Sequence, residues 1–315
     1  MRAIAINEFG GRDKLHLMDL PIPEPRDSEV LVRIKAAGVN PVDWKIREGM
    51  LKERLPHEFP LILGWDAAGV VAGTGRNAKR LSQGDEVFAY CRKPVVKDGA
   101  YAEFITLAEE NMALKPKSMS FAEAATVPLA ALTAYQALFD AGKLDAGQTV
   151  LIHAAAGGVG TFAVQLAKDR GARTLGTASA AHHDYLLELG LDVHIDYTAG
   201  DFRDATRAAS PDGVDLVFDC VGWKVLLESA DVIKPGGRIV SITFPPGVEE
   251  LTKRGINATY VFVEPIRAEL ERIAEMINGG KLRTFISKSL PLGKAAEAHE
   301  LSEKRHTEGK IVLTI

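Results

Sequence analysis

Thr149-Val150-Leu151-Ile152-His153-Ala154-Ala155-Ala156-Gly157-Gly158-Val159-Gly160 is the stretch whose reading decides the fold. The run from Thr149 to His153 is β-branched and apolar, the composition of a buried strand. Beyond Gly160, the residues Phe162, Val164, Leu166 and Ala167 give an apolar face that predicts a helix over 158–170. Between the two, Ala155, Gly157 and Gly160 fill the three small positions of a dinucleotide fingerprint. Their tasks are the tight turn, backbone approach to a pyrophosphate, and close contact of helix with strand. The helix start then offers N–H groups and a positive dipole end to phosphates. Ala155, Gly157, Gly158, Val159 and Gly160 are therefore candidate cofactor contacts. A plain strand-to-helix turn, or a site for S-adenosylmethionine, would use similar residues. The strand before, the helix after and the series downstream favour the dinucleotide.

That series continues with a strand over 173–177, a helix over 183–189, a strand over 214–219, a helix over 224–233 and a strand over 238–242. Two Ala-rich helix candidates, 121–126 and 130–141, precede it. A strand over 258–263 and a helix over 266–278 follow; in the helix Ile266, Leu270, Ile273 and Ile277 share one face and Gly279-Gly280 ends it. Strands alternating with helices imply a parallel, doubly wound sheet. Upstream of about 118 the texture differs. Short β-rich runs at 30–34, 69–72, 86–90 and 101–105 are separated by Pro and Gly, as in a mostly antiparallel β domain. The final run, 310–315, lacks a helix-linked partner strand and is expected to return to that β domain.

Cofactor choice is read at the end of the strand after the glycine turn. There an acidic residue about 20 positions on would bond the ribose 2′-OH of NAD. This chain has Thr177-Ala178-Ser179 and then His182-His183, with no carboxylate. Ser179, His183 and Tyr197 are candidate partners of a 2′-phosphate, so NADP is favoured and NAD is the alternative.

Composition narrows the class. The 315 residues are 46% hydrophobic and 25% charged, with a formal charge of −4, as in ordinary folded proteins. The acidic balance offers no excess cation for a nucleic-acid backbone. Two cysteines, Cys91 and Cys220, make no disulfide framework, and no apolar run reaches the roughly 20 residues of a spanning helix. The expectation is a soluble, cytoplasmic enzyme with no nucleic-acid or membrane partner.

Short motifs in a fixed order add a resemblance: Ala36-Ala37-Gly38-Val39-Asn40-Pro41-Val42-Asp43-Trp44-Lys45, Gly64-Trp65-Asp66-Ala67-Ala68-Gly69, Gly84-Asp85-Glu86-Val87 and Gly99-Ala100-Tyr101-Ala102-Glu103. Beyond them stand Leu132-Thr133-Ala134-Tyr135, the glycine turn, Asp219-Cys220-Val221-Gly222 and Lys234-Pro235-Gly236-Gly237. Over nearly its whole length the chain resembles the medium-chain dehydrogenase/reductase superfamily, in the zinc-independent quinone oxidoreductase branch that includes zeta-crystallin. The resemblance implies an α/β fold of two domains: a discontinuous GroES-like, mostly antiparallel β domain from 1–118 and 264–315, and a Rossmann domain with a parallel sheet over 119–263. It further implies an active site in the cleft between them and a homodimer through the Rossmann domains. At the positions where related alcohol dehydrogenases hold catalytic zinc with Cys, His and Cys, this chain has Asn40, Trp65 and Leu129. Trp and Leu cannot ligate zinc and Asn is not a usual ligand, and only Cys91 lies where a four-Cys structural lobe would stand. No zinc is expected.

Without a Lewis acid, an alkoxide is poorly stabilised, whereas a quinone or an α,β-unsaturated carbonyl spreads the incoming charge by conjugation. The expected reaction is NADPH-dependent hydride transfer to such an acceptor. By the resemblance Lys45 is the first candidate for orienting the substrate or supplying a proton, with Asp43 second and a solvated or bracing role as the alternative for each. Asn40, Thr133, Val221, Phe244 and Phe262 are candidate neighbours of the cofactor on the same ground. Two other functions stay open: an enoyl reductase acting on a thioester or polyketide intermediate, and a dinucleotide-binding structural or regulatory protein with little turnover.

Overall fold

The computed structural model describes residues 1–315 except 244 and 305–307. It divides into two compact units, one of residues 1–129, 265–280 and 284–315, the other of 130–264 and 281–283.

The second unit is built on the glycine turn. Its elements run β1 (Thr149–Ile152), α1 (Gly158–Asp169), β2 (Arg173–Ala178), α2 (His183–Glu188), β3 (Val193–Asp196), α3 (Phe202–Ala209), β4 (Val214–Asp219), α4 (Trp223–Glu228), β5 (Ile233–Ser241), α5 (Pro245–Lys253) and β6 (Ala258–Tyr260). All strand pairs are parallel, in the order β3-β2-β1-β4-β5-β6. β1 is central and wholly buried because every residue from Thr149 to Ile152 packs on one face or the other. Leu151, Leu175, Val217, Ile239, Leu226 and Leu251 form the core between the sheet and the helices on one side. The order reverses between β1 and β4, so the carboxyl ends of the strands make a crevice edge there.

Several elements differ from the sequence reading. β3 and α3 were not foreseen: β3 is an edge strand of four residues, Val193-His194-Ile195-Asp196, too short for its alternation to stand out. The helix expected to reach Ile233 stops at Glu228, because Ile233 pairs with Val214 and already belongs to β5. Ile266 is the N-cap of the helix Arg267–Asn278 and is 41% exposed, while Leu270, Ile273 and Ile277 are buried as the periodicity predicts.

The first unit holds a sheet whose path runs Ile286–Pro291, Lys310–Thr314, Glu29–Val39, Asp66–Thr74, Glu86–Tyr90 and Met112–Leu114, with Phe104–Ala108 also paired to Glu29–Val39. Every pair is antiparallel except Ile286–Pro291 with Lys310–Thr314. Lys310–Thr314 does return, pairing with Ala36–Val39. The strand expected over 101–105 begins only at Phe104: Tyr101 is fully buried, and its backbone N–H donates to Leu63 O rather than to a ladder. Along Glu29–Val39 burial alternates at first and then becomes continuous from Ala36. No helix among the described residues is long and apolar enough to cross a membrane.

Candidate active site

The parallel order places the carboxyl ends of β1, β2, β3 and β4 along one edge, and with them the glycine turn, Ser179, Tyr197 and Val221. Gly157 is the N-cap of α1, in extended conformation, with no side chain bonded to the helix start. That leaves the first N–H groups of a twelve-residue helix for a ligand. A Cβ on Gly160 would come within 2.3 Å of Ala154 O and 2.7 Å of Ala155 Cα, so the helix can approach the strand only without one. Ala154 itself takes φ +54°, a left-handed conformation uncommon for alanine and typical of strained turns at ligand sites. These features fit a dinucleotide pyrophosphate.

Buried polar groups brace this edge. Asp219 Oδ1 accepts the N–H groups of Val221 (3.0 Å) and Gly222 (2.9 Å), and its Oδ2 accepts Ser241 Oγ–H at 2.7 Å. His153 lies under the turn. Thr177 Oγ1 accepts from Ala154 N–H at 3.2 Å and donates to His153 Nδ1 at 3.1 Å. Ser229 Oγ–H donates to Val225 O at 2.7 Å, so His153 Nε2–H must be the donor to Ser229, at 2.9 Å. Burial pulls the His153 pKa down to about 4, against the opposing pull of Asp219, and the ring stays neutral. It is a structural group.

Of the other cofactor candidates, Tyr197 is exposed, Ser179 is half-buried, and His183 is exposed at the start of α2. Thr133 is buried in the helix Pro128–Tyr135, and Phe262 follows β6, half-buried. Phe244 lies outside the described residues.

In the first unit, Asn40, Asp43 and a set of residues the sequence reading did not assign form one buried polar network. Asn40 precedes the helix Pro41–Arg47, and its N–H donates to Asp43 Oδ2 at 2.8 Å. Asp66, fully buried, accepts Asn40 Nδ2–H at 2.8 Å on Oδ2 and Leu129 N–H at 2.7 Å on Oδ1. Lys310 Nζ lies 3.6 Å from Asp66 Oδ2 and donates to Asn40 Oδ1. Burial pulls the Lys310 pKa down and pushes that of Asp66 up, each opposed by the other's charge. Arg47, buried, donates to His299 Nδ1 at 3.1 Å and to Glu303 at 2.9 Å. An arginine only donates, so His299 carries its hydrogen on Nε2, which donates to Tyr101 Oη at 3.3 Å. Tyr101 in turn donates to Asp43 Oδ2 at 3.0 Å. This chain of donors runs one way, from a fixed cation to a carboxyl.

Burial pushes the Asp43 pKa up to about 7, although the bonds from Asn40 and Tyr101 hold it back. Burial, with the nearby Arg47 charge, pulls His299 down to about 3. The sequence carried one clue to this network, a lysine opening the apolar strand Lys310-Ile311-Val312-Leu313. Nothing local could pair it with Asp66. Lys45 lies on the same helix as Asp43, half-buried, with Nζ 5.7 Å from the centre of the Trp44 ring.

The donor set does not fit zinc. Both ends of the Asn40 amide and both oxygens of Asp66 are engaged, Lys310 already supplies the balancing cation, and Trp65 offers no ligand. Burial pushes the Cys91 thiol pKa well above its ordinary range. Among the described residues no group of three or more His, Cys, Asp or Glu is placed to hold a metal.

The sequence matches two family profiles, an alcohol dehydrogenase GroES-like domain over 26–117 and a zinc-binding dehydrogenase over 189–313. It is 32% identical to the chloroplast envelope quinone oxidoreductase homolog of Arabidopsis thaliana over 325 residues, covering 99% of this chain and 98% of that protein. It is 33% identical to the chloroplastic NADPH-dependent alkenal/one oxidoreductase of the same plant, covering 99% and 79%. The fold superposes on the quinone oxidoreductase from Coxiella burnetii with a TM-score of 0.91 at 35% identity, covering 100% and 99% of the two chains. With the GroES-like antiparallel sheet, the parallel nucleotide-binding sheet and these relatives, the chain belongs to the medium-chain dehydrogenase/reductase superfamily, in its quinone oxidoreductase-like branch, and is an NAD(P)H-dependent oxidoreductase.

Proposed function

We propose that the chain is an NADPH-dependent, zinc-independent reductase of quinones or α,β-unsaturated carbonyl compounds. The observation that carries this reading is the saturated Asn40–Asp66–Lys310 cluster, which leaves no ligand set for a Lewis acid. Chemistry that needs a metal-stabilised alkoxide is then disfavoured, and acceptors that delocalise charge themselves are favoured. Relatives named for quinone and for NADPH-dependent alkenal/one reduction support the same acceptor class.

When bound, NADPH supplies the hydride from its nicotinamide ring. The protein's work is to hold and orient. The α1 start and the backbone of Gly157, Gly158, Val159 and Gly160 bind the pyrophosphate, and Asp219 fixes the loop carrying Val221. Ser179, His183 and Tyr197 receive the 2′-phosphate, and Thr133 and Phe262 support the nicotinamide end. Lys45 orients the acceptor oxygen or returns a proton to it. Asp43, with no exposed surface, is a positioning group that fixes the start of its helix. The outer strand β6 offers an edge through which two copies would associate as a homodimer.

The test is NADPH oxidation with a panel of quinones, enones and enoyl thioesters, followed by the loss of reduced-nicotinamide absorbance. Turnover with quinones or enones is expected. Consumption with enoyl thioesters alone would replace this reading by a thioester reductase, and binding of NADPH without consumption by any acceptor would overturn it.

A further inference from the structure

The chain passes from one unit to the other after Leu129, Glu264, Gly280 and Arg283. At both returns to the first unit, the last residue of the second is gripped by a glutamine side chain. Glu264 precedes the return at Pro265. Its N–H donates to Gln136 Oε1 at 2.9 Å, and its carbonyl accepts Gln136 Nε2–H at 2.9 Å. Arg283 precedes the return at Thr284. Its N–H donates to Gln165 Oε1 at 2.9 Å, and its carbonyl accepts Gln165 Nε2–H at 3.0 Å. Each amide does for one residue what a neighbouring strand does in an antiparallel ladder, exchanging both backbone bonds. The glutamines are themselves fixed. Each is 6% exposed; Gln136 continues the helix Pro128–Tyr135, and Gln165 lies on α1, where its other Nε2 hydrogen goes to Thr161 O at 2.9 Å.

The residues beyond the grips are held less. Pro265 has no N–H, and Thr284 N–H donates to no described residue; the Thr284 hydroxyl meets Thr126 Oγ1 at 2.6 Å within the first unit. The short passage 281–283, by contrast, is tied to the ends of α1 and α2. Arg283 Nη2 donates to Glu188 O at 2.8 Å, and Lys281 Nζ lies 2.8 Å from Asp169 Oδ1. Gly280, at φ +73°, opens that passage in a conformation that glycine takes without strain. We propose that Gln136 and Gln165 are hinge pins: they hold Glu264 and Arg283 as part of the second unit, so that bending of the chain between the units is confined to Pro265, Gly280, Thr284 and the start of the helix Pro128–Tyr135. A hinge works when a few residues absorb the change in φ and ψ while their neighbours stay fixed. A side chain that bonds both backbone groups of one residue fixes that neighbour. The two glutamines are positioning residues, and their role does not depend on which acceptor is reduced.

The test uses Gln136→Met and Gln165→Met, which keep the length of the side chain and remove its amide. Amide hydrogen exchange should quicken about tenfold at Glu264 in the first variant and at Arg283 in the second, while β1 and α1 exchange as in the natural chain. Trypsin should cut after Arg283 about tenfold faster in Gln165→Met, since cleavage follows the population of the opened segment. The hinge itself is read by fluorescence energy transfer between dyes on Leu17→Cys and Lys224→Cys, exposed positions of the first and second units, with Cys220→Ala and with Cys91 buried. With both glutamines replaced, the distribution of dye separations should widen while the exchange pattern inside each unit is kept. An unchanged distribution overturns the proposal, as does unchanged exchange at Glu264 and Arg283. Exchange that quickens throughout β1 and α1 in the single variants, or their failure to fold, also overturns it, because the glutamines are then general braces of the unit.

Discussion

The buried network of the first unit and the glycine edge of the second use polar groups in opposite ways. Asp66, Lys310, Asn40, Arg47 and His299 are almost fully enclosed and bond to one another. The start of α1 has no side-chain cap, and His183, at the start of α2, is exposed. A buried charge must be paired within the chain, so Asp66 and Lys310 meet each other there, while Asp43 Oδ1 is buried with no hydrogen-bond partner. Groups left open at an edge are complete only with a ligand. Position, rather than residue type, separates scaffold from site.

The sharpest way to break the comparison is to remove one side of the enclosed pair. Lys310→Met leaves Asp66 buried without its cation and should cost about 3–5 kcal/mol in urea unfolding. A loss below about 1 kcal/mol would show that the pair is not needed. At the open edge, Gly158→Asp sets a carboxylate against the pyrophosphate. Cofactor affinity should fall about 100-fold, or roughly 2.7 kcal/mol, with folding stability little changed. Unchanged affinity in a titration would refute the turn as the binding site.

Acid titration tests the enclosed groups in more detail. His153, with a pKa of about 4, and His299, at about 3, are neutral when folded and take up protons near 6.5 when unfolded. Their contribution is complete above 6.5 and is lost as the pH falls through 4 and 3, at about 1.4 kcal/mol per unit for each group. Asp43, raised from 3.8 to about 7, contributes with the opposite sign: fully below 3.8, and less as the pH rises to 7. Between about pH 4 and 6.5 the three leave a net slope of about 1.4 kcal/mol per unit, and Asp43→Asn should steepen it by a similar amount. A slope unchanged in that variant would mean that Asp43 is ionised throughout. The smallest effect is expected at Ala154. Ala154→Gly relieves φ +54° and should raise stability by about 1 kcal/mol or less in thermal unfolding, a gain that a loss of stability would contradict.

Much of the second unit was legible because its signals are local. The β-branched run Thr149–Ile152, the spacing Ala155, Gly157, Gly160 and the apolar face of α1 are neighbours in sequence, and they fold as neighbours. β3 was missed because its alternation, Val193-His194-Ile195-Asp196, runs for only four residues, and α3 was missed with it. The contact of His183 with His194 was missed as well, since residues 183 and 194 meet only when β3 is laid beside β2.

By itself, then, the sequence determined the glycine turn, the alternating elements that make the sheet parallel, the missing zinc ligands and the missing acid after β2. Each is a matter of which side chain stands at which short spacing. Only the tertiary structure decided that Lys310 neutralises Asp66, that Asp43 is sealed behind Tyr101 and His299, and that the rings of His183 and His194 meet. Pairing and proton position depend on distances of a few ångströms between distant parts of the chain, and on burial that raises the cost of every unpaired charge.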